Sequence, residues 1–151
     1  TMEGALEHSV NTVSVRILDE VGIETAVNLT HELGVSSYIP KVPSIALGTP
    51  SISLTEMVAA YSAFVNGGYT VSPYAIKRIE DADGNVLYER KPSVKKQVIS
   101  KKSSQIMTHL LEGVVDNGTA RAIRSGYKLT NDIGGKCESH LSCRVGGLHF
   151  I

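Results

Sequence analysis

The chain has 151 residues, of which 42% are hydrophobic and 20% are charged. This length suits one domain with a sizeable core, and the composition is typical of a folded globular protein rather than a disordered one. Fifteen basic residues balance fifteen acidic ones, so charge offers no reason to expect nucleic-acid binding, which usually needs a basic face. No run reaches the roughly 20 apolar residues of a membrane helix, and the N-terminus lacks the features of a signal peptide. Any membrane attachment is expected through a segment outside this chain.

Two helices are predicted in the first quarter of the chain. The first is indicated by apolar residues that recur at three- and four-residue spacing, Val10, Val13, Ile17 and Val21. Ser9 stands where an N-cap would accept a free backbone N–H, and Gly22 is expected to end the helix. The second helix is predicted over residues 24–33, with Gly34 as its left-handed terminator.

A third helix is predicted after an irregular, proline-rich segment at residues 36–50. Ser53 and Glu56 have the spacing of a capping box, in which each side chain binds the other residue's backbone N–H. The Asn-Gly-Gly run at 66–68 is expected to stop this helix. Its buried face is predicted to consist of Met57, Tyr61, Phe64 and Val65.

The second half of the chain predicts a hairpin, a helix and a strand. Residues 74–80 and 85–90 are expected to form a surface ribbon around an Asp-Ala-Asp-Gly turn. A long helix is predicted from residue 100 or 101 to 115. Its apolar face is expected to contain Ile106, Leu110, Leu111, Val114 and Val115. Residues 129–135 are predicted to be a strand.

Several short segments together carry a resemblance to one known family. They are, in chain order, Ala5-Leu6 before Ser9-x-Asn11, Pro43–Gly48, Leu54–Tyr61, Phe64–Gly68, Pro73–Ile76, Asp83-Gly84, Gly118-Thr119-Ala120 and Gly134-Gly135-Lys136. Their order and spacing over residues 5–136 resemble the transpeptidase domain of the class A, or bifunctional, penicillin-binding proteins. The resemblance implies an α/β fold of the serine β-lactamase/transpeptidase type. Residues 1–136 would hold only part of that domain, namely most of its helical part, a β-ribbon and one core strand.

The family that the chain resembles has three catalytic motifs, Ser-x-x-Lys, Ser-x-Asn and Lys-Thr-Gly. By resemblance, Ser9 is the serine of the second motif, a proton relay, and Asn11 is its asparagine, which holds the lysine of the first motif and the substrate amide. Lys136 is the lysine of the third motif and helps to pass a proton to the departing amine. Without the neighbouring segments, Ser9 would be interpreted as an N-cap only, and Lys136 as an exposed turn residue.

The resemblance also implies an activity and a location. A protein of this kind is a peptidoglycan D,D-transpeptidase, which cross-links cell-wall stem peptides through an acyl-serine intermediate and binds β-lactam antibiotics, with no cofactor or metal. It would act on the outer, periplasmic face of the bacterial cytoplasmic membrane. Its membrane anchor and a glycosyltransferase domain would precede this chain.

The chain departs from the family pattern at two motifs. The Ser-x-x-Lys spacings at 93–96 and 125–128 do not open a buried helix, so the nucleophilic serine is expected upstream of residue 1. After Lys136 stand Cys137 and Glu138, where the family has Thr and Gly. Glu138 would face the substrate carboxylate, and two like charges at about 4 Å repel by about 4 kcal/mol at an effective dielectric of about 20. The chain alone is therefore expected to be inactive. Because a sheet of one strand leaves backbone groups unpaired, the chain is also expected to be marginally stable or prone to aggregation.

Residues 137–151 do not resemble the family and are interpreted as a divergent tail, produced by a frameshift in the gene or an error in the sequence. Three other hypotheses remain open. Cys137, His140, Cys143 and His149 could together bind Zn²⁺, although their spacing is not a usual zinc-finger pattern. The chain could also be a helical interaction module without catalysis, or a relative of the β-lactamases.

Overall fold

The computed structural model describes residues 1–91, 96–138 and 147–150, with side chains up to residue 136. It contains six α-helices, one 3₁₀-helix and two two-stranded antiparallel sheets within those ranges. The helices are α1 (Met2–Glu7), α2 (Asn11–Val21), α3 (Ile23–Glu32), the 3₁₀-helix (Pro43–Leu47), α4 (Leu54–Val65), α5 (Lys101–Asp116) and α6 (Ala122–Tyr127). The strands are β1 (Arg78–Glu80), β2 (Val86–Glu89), β3 (Gly135–Glu138) and β4 (Gly147–Phe150).

Helix α5 lies at the centre of the structure, because α1, α4, α6 and β3 all pack against it. Its buried residues are Ser104, Leu111, Val114 and Val115. Ile106 was expected on this face but is 52% exposed. At 3.6 residues per turn it lies about 200° around the helix from Ser104, so the prediction for Ile106 is wrong.

Two hydrophobic clusters of buried residues stabilise the fold. One contains Val114, Val115, Ala120 and Ile123, with Leu6 and Ile133 packed against it. The other contains Val27, Leu33, Val35, Ile39, Ala60 and Ala63. The first cluster therefore joins the N-terminal helix to the segment that leads into β3.

Helix α4 begins with the predicted capping box but buries a different face. The Ser53 hydroxyl accepts from the Glu56 N–H at 3.3 Å, and a Glu56 carboxylate oxygen accepts from the Ser53 N–H at 3.1 Å. The buried residues are the alanines Ala59, Ala60 and Ala63, whereas the predicted face of Met57, Tyr61, Phe64 and Val65 is half-buried or exposed. Small side chains let the neighbouring segments approach the helix closely, which apolar periodicity alone does not reveal.

The connection from α1 to α2 differs from the sequence prediction. Helix α2 starts at Asn11, and its N-cap is Val10, which has no side-chain oxygen to cap the helix. Ser9 is therefore not the N-cap. Gly22 ends α2 with φ of 88°, as expected, and Gly34 follows α3 with φ of 107°.

The predicted hairpin is confirmed as a short surface ribbon. Strands β1 and β2 pair antiparallel, with a register shift between Ile79 and Glu80, and every residue of both strands is exposed. The Asp81 carboxylate closes the turn by accepting from the backbone N–H groups of Asp83 and Asn85 at 3.0 and 2.8 Å.

Strand β3 begins later than predicted and has a partner strand. Its first residue is Gly135 rather than Leu129, because the carbonyls of Leu129 and Asn131 accept from the Arg124 guanidinium at 2.9 and 2.6 Å instead of joining a ladder. It pairs antiparallel with β4 in the tail, with Lys136 opposite His149. The expectation of a single core strand is thus corrected, since the sequence pattern of the tail did not indicate β4.

Glu56 also connects α4 to the segment that follows α3. Its carboxylate accepts hydrogen bonds from the hydroxyls of Ser53, Ser37 and Ser36, each at 2.7 Å, and from the backbone N–H groups of Ser36 and Ser37 at 2.8 and 2.9 Å. These bonds, that from Ser53 first, hold the pKa of Glu56 well below its usual range.

Acidification should therefore loosen this connection. Because the folded-state pKa of Glu56 is lowered, the contribution of its hydrogen bonds is present above the unfolded-state value of 4.5 and is lost as the pH falls toward the folded-state pKa. We expect the melting temperature of the wild-type chain to fall more steeply between about pH 5 and pH 3 than that of Glu56→Gln, measured by circular dichroism. Glu20→Gln, on the exposed side of α2, controls for the loss of one carboxylate. Parallel curves for wild type and Glu56→Gln would contradict this role.

Gly68 should tolerate substitution less well than its neighbour Gly67. Both have positive φ, 88° and 66°, but a Cβ on Gly68 would overlap the Ile99 carbonyl, whereas a Cβ on Gly67 meets no atom within 4 Å. Gly67→Ala should lower the free energy of unfolding by about 1–2 kcal/mol from backbone strain alone. Gly68→Ala should lower it by about 1–3 kcal/mol more, because the backbone at Ile99 must move. Urea unfolding of both variants tests this, and equal losses would contradict it.

Candidate active site

Ser9 and Lys136 meet in the folded chain although 127 positions separate them. The Lys136 ammonium donates one hydrogen bond to the Ser9 hydroxyl and another to the Leu6 carbonyl, the latter at 3.1 Å. Strand β3 supplies the lysine and the connection between α1 and α2 supplies the serine. The structure thus joins two of the three predicted site residues directly.

The backbone at Ser9 explains where its hydroxyl points. Ser9 has φ of 52°, in the left-handed region that non-glycine residues seldom adopt. Its N–H donates to the Leu6 carbonyl at 3.3 Å, and the next N–H, of Val10, donates to the Ala5 carbonyl at 2.9 Å. The hydroxyl therefore contacts Lys136 rather than the first turn of α2. Strained residues of this kind cluster at functional sites.

Asn11, the third predicted residue, lies at the same end of α2. It is the first residue of that helix and is exposed. Ser9, Val10 and Asn11 therefore form one continuous segment at the edge of the site. The side chain of Asn11 is exposed to solvent.

The Gly-Gly pair before Lys136 lets β3 pack closely against α5. Gly134 and Gly135 are both buried, and a Cβ on Gly134 would lie 3.2 Å from the Cβ of Leu111. Leu6 and Ile133 both pack on the cluster around Val114. One hydrophobic cluster thus positions the segments that carry the serine and the lysine.

Sequence reasoning missed Glu7, which is buried beside the site. Its backbone carbonyl accepts from the Thr119 N–H at 3.0 Å, and its carboxylate accepts from the Asn117 side-chain amide at 3.2 Å. The only signal in the sequence is indirect: glycines at positions 113 and 118 stand where Glu7 approaches α5 and the turn after it.

Other candidate groups do not form a site in the described structure. Ser125 donates to the Arg121 carbonyl at 3.3 Å, and Lys128 lies past the end of α6 with φ of 54°, so this Ser-x-x-Lys is not a helical pair. Ser93 lies outside the described residues, as do His140 and Cys143 of the zinc hypothesis. Among the residues that the structure describes, no group of three or more His, Cys, Asp and Glu side chains could hold a metal ion. No helix there is long and apolar enough to cross a membrane.

Comparison with known proteins identifies the family of the chain. The family model of the penicillin-binding protein transpeptidase domain matches residues 1–137. Penicillin-binding protein 1A of Aquifex aeolicus is 37% identical over 121 residues, which are 80% of this chain and 16% of that protein. The crystal structure of penicillin-binding protein 1A from Haemophilus influenzae has a TM-score of 0.86 at 22% identity, over 99% of this chain and 28% of that one. The structure of the PonA1 protein from Mycobacterium tuberculosis in complex with penicillin V has a TM-score of 0.71 at 19% identity, over 97% of this chain and 42% of that one.

The chain therefore belongs to the penicillin-binding protein transpeptidase family and is part of the transpeptidase domain of a class A penicillin-binding protein. The structural neighbours also confirm the predicted fold class, a partial α/β domain of the serine β-lactamase/transpeptidase type. The chain spans only a small part of the length of its curated relatives, 16% in the Aquifex protein.

Gly118 should be essential for the geometry around Ser9. A Cβ at this position would overlap the Glu7 carbonyl and lie 2.9 Å from the Val114 carbonyl, so Gly118→Ala should lower the free energy of unfolding by about 1–3 kcal/mol. The matched control is Gly126→Ala, where nothing lies within 4 Å; inside α6 it should be neutral or stabilise by up to about 1 kcal/mol. Urea unfolding compares the two, and a Gly118→Ala variant as stable as Gly126→Ala would contradict the close approach.

Proposed function

We propose that this chain is part of a peptidoglycan D,D-transpeptidase that cross-links cell-wall stem peptides through an acyl-serine intermediate. The observation that carries the proposal is the contact between the Lys136 ammonium and the Ser9 hydroxyl, in a chain of the penicillin-binding family. A lysine that donates to a serine hydroxyl forms a two-membered proton relay, which suits acyl transfer from an amide.

The relay acts when the acyl-enzyme forms. The nucleophilic serine gives its hydroxyl proton to the lysine of the first motif and attacks the carbonyl carbon between two D-alanines. The bond from that carbon to the leaving nitrogen then breaks. Ser9 gives its hydroxyl proton to this nitrogen, and Lys136 replaces the proton on the Ser9 oxygen. Lys136 also donates to the Leu6 carbonyl, which holds its ammonium at the serine. Asn11, at the start of α2, orients the substrate amide and the lysine of the first motif.

The nucleophile belongs to a segment upstream of residue 1, which also carries the membrane anchor and the glycosyltransferase domain. The working site is on the periplasmic face of the cytoplasmic membrane, and its ligands are stem peptides and β-lactams. The complex of the PonA1 protein with penicillin V supports β-lactam binding. Residues 137–151 are a divergent tail, in which Cys137 and Glu138 stand where the family has Thr and Gly. A negatively charged residue in place of the family's glycine is expected to weaken binding of the substrate carboxylate in this form of the chain.

The proposal predicts a covalent β-lactam adduct outside this chain. In the longer protein that contains the chain, a fluorescent penicillin should label a serine upstream of residue 1. Ser9→Ala and Lys136→Ala should each slow the labelling by about 10²–10⁴-fold, the usual contribution of a positioned proton-transfer group. The isolated chain should not label.

Ser125→Ala is the matched control, because Ser125 begins a Ser-x-x-Lys spacing but its hydroxyl donates to the nearby Arg121 carbonyl rather than to a lysine. It should label at the wild-type rate. Labelling of the isolated chain, or wild-type labelling of Ser9→Ala and Lys136→Ala, would exclude the proposed roles. A longer protein in which penicillin labels no serine would instead favour a helical interaction module without catalysis.

A further inference from the structure

Glu7 is a buried acid that the proposed proton relay does not use. Among the residues with described side chains, Glu7 and Ser104 are the buried polar ones. A carboxylate loses its hydration on burial and is tolerated only where hydrogen bonds replace the lost water. The Asn117 side-chain amide supplies one such bond, from the end of α5. The buried carboxylate of Glu7 therefore has a hydrogen-bond partner on another element.

Two glycines make room for this residue. A Cβ on Gly113 would lie 2.8 Å from the Glu7 carboxylate, and a Cβ on Gly118 would overlap the Glu7 carbonyl. Gly113 lies within α5, where glycine is less favourable than alanine. Gly113 thus costs some helix stability where Glu7 approaches, and both glycines leave space that a side chain would fill.

The segment that Glu7 anchors is the one that binds Lys136. Leu6, the preceding residue, offers its carbonyl to the Lys136 ammonium at 3.1 Å and to the Ser9 N–H at 3.3 Å. On the other side, the Glu7 carbonyl accepts from the Thr119 N–H at 3.0 Å. The backbone of residues 6–9 is therefore fixed to the end of α5 at Glu7 and presented to β3 at Leu6 and Ser9.

We propose that Glu7 is a positioning residue: its hydrogen bond to Asn117 sets the backbone of residues 6–9 so that Leu6 and Ser9 hold the Lys136 ammonium. The inference rests on the proposed function for its catalytic meaning. Glu7 acts through this backbone and not on the substrate, because its carboxylate lies against the Gly113 face of α5. What matters is an acceptor oxygen at this position, so glutamine can replace glutamate, whereas alanine cannot.

The test is the chemical reactivity of Lys136 in the 151-residue chain. Competitive acetylation with acetic anhydride, read by mass spectrometry, gives the reactivity of each lysine relative to the exposed Lys101 and Lys102. In the wild-type chain Lys136 should react more slowly than these by on the order of tenfold, since its ammonium donates two hydrogen bonds. Glu7→Ala should raise the reactivity of Lys136 to that of Lys101, and Glu7→Gln should keep it low.

Two further variants make the result decisive. Asn117→Ala removes the same hydrogen bond from the α5 side and should also raise the acetylation reactivity of Lys136. This variant keeps the test valid if Glu7→Ala does not fold. Glu112→Gln changes a neighbouring carboxylate of α5 and should leave Lys136 as slow as in the wild type. The proposal is overturned if Lys136 is still acetylated slowly in folded Glu7→Ala or Asn117→Ala. It is also overturned if Lys136 is acetylated as fast in Glu7→Gln as in Glu7→Ala.

This measurement needs no acyl-enzyme, so it separates the inference from the proposed function. If penicillin labelling of the longer protein ignores Ser9→Ala and Lys136→Ala, the relay is wrong, whatever the acetylation shows. If that labelling depends on Ser9 and Lys136 but the acetylation of Lys136 ignores Glu7, the positioning role alone is wrong. When both hold, Glu7→Ala should slow labelling of the longer protein and Glu7→Gln should restore it.

Discussion

The burial of one face of α5 is the constraint on which the rest of the structure depends. Val114 and Val115 on this face are fully buried, and the hydroxyls of Ser104 and Thr108 donate to the Phe64 carbonyl at the end of α4. The same helix packs against α1, which leads to Ser9, and β3, which carries Lys136. The contact between Ser9 and Lys136 therefore depends on a helix that contributes no atom to it.

Local signals in the sequence were sufficient to predict most of the elements but not which faces they bury. The Ser53–Glu56 capping box and the glycines at 22 and 34 mark helix ends, because their effects act within one turn of the chain. Burial depends on what packs opposite. Ile106 is exposed because none of the described elements covers its side of α5. The alanines of α4 are buried because close neighbours favour small residues. The spacing of apolar residues in the sequence does not reveal which face of a helix is covered by neighbouring elements.

The site was predicted from a family resemblance rather than from periodicity. A serine before a helix has a strong short-range preference for capping it, and only a partner 127 positions away, Lys136, explains why Ser9 does not. Glu7 was missed for the same reason, since a sequence does not show which of its acids is buried. Strand β4 was missed because residues 147–150 form a strand only through pairing with β3.

The left-handed backbone of Ser9 has a consequence for how such a protein evolves. A side chain at φ of 52° carries a conformational penalty of about 1–2 kcal/mol, which glycine avoids. Glycine would therefore make the fold more stable at position 9, but it could not supply a hydroxyl to the proposed relay. Selection for the proposed relay would therefore keep a serine here at a cost in stability.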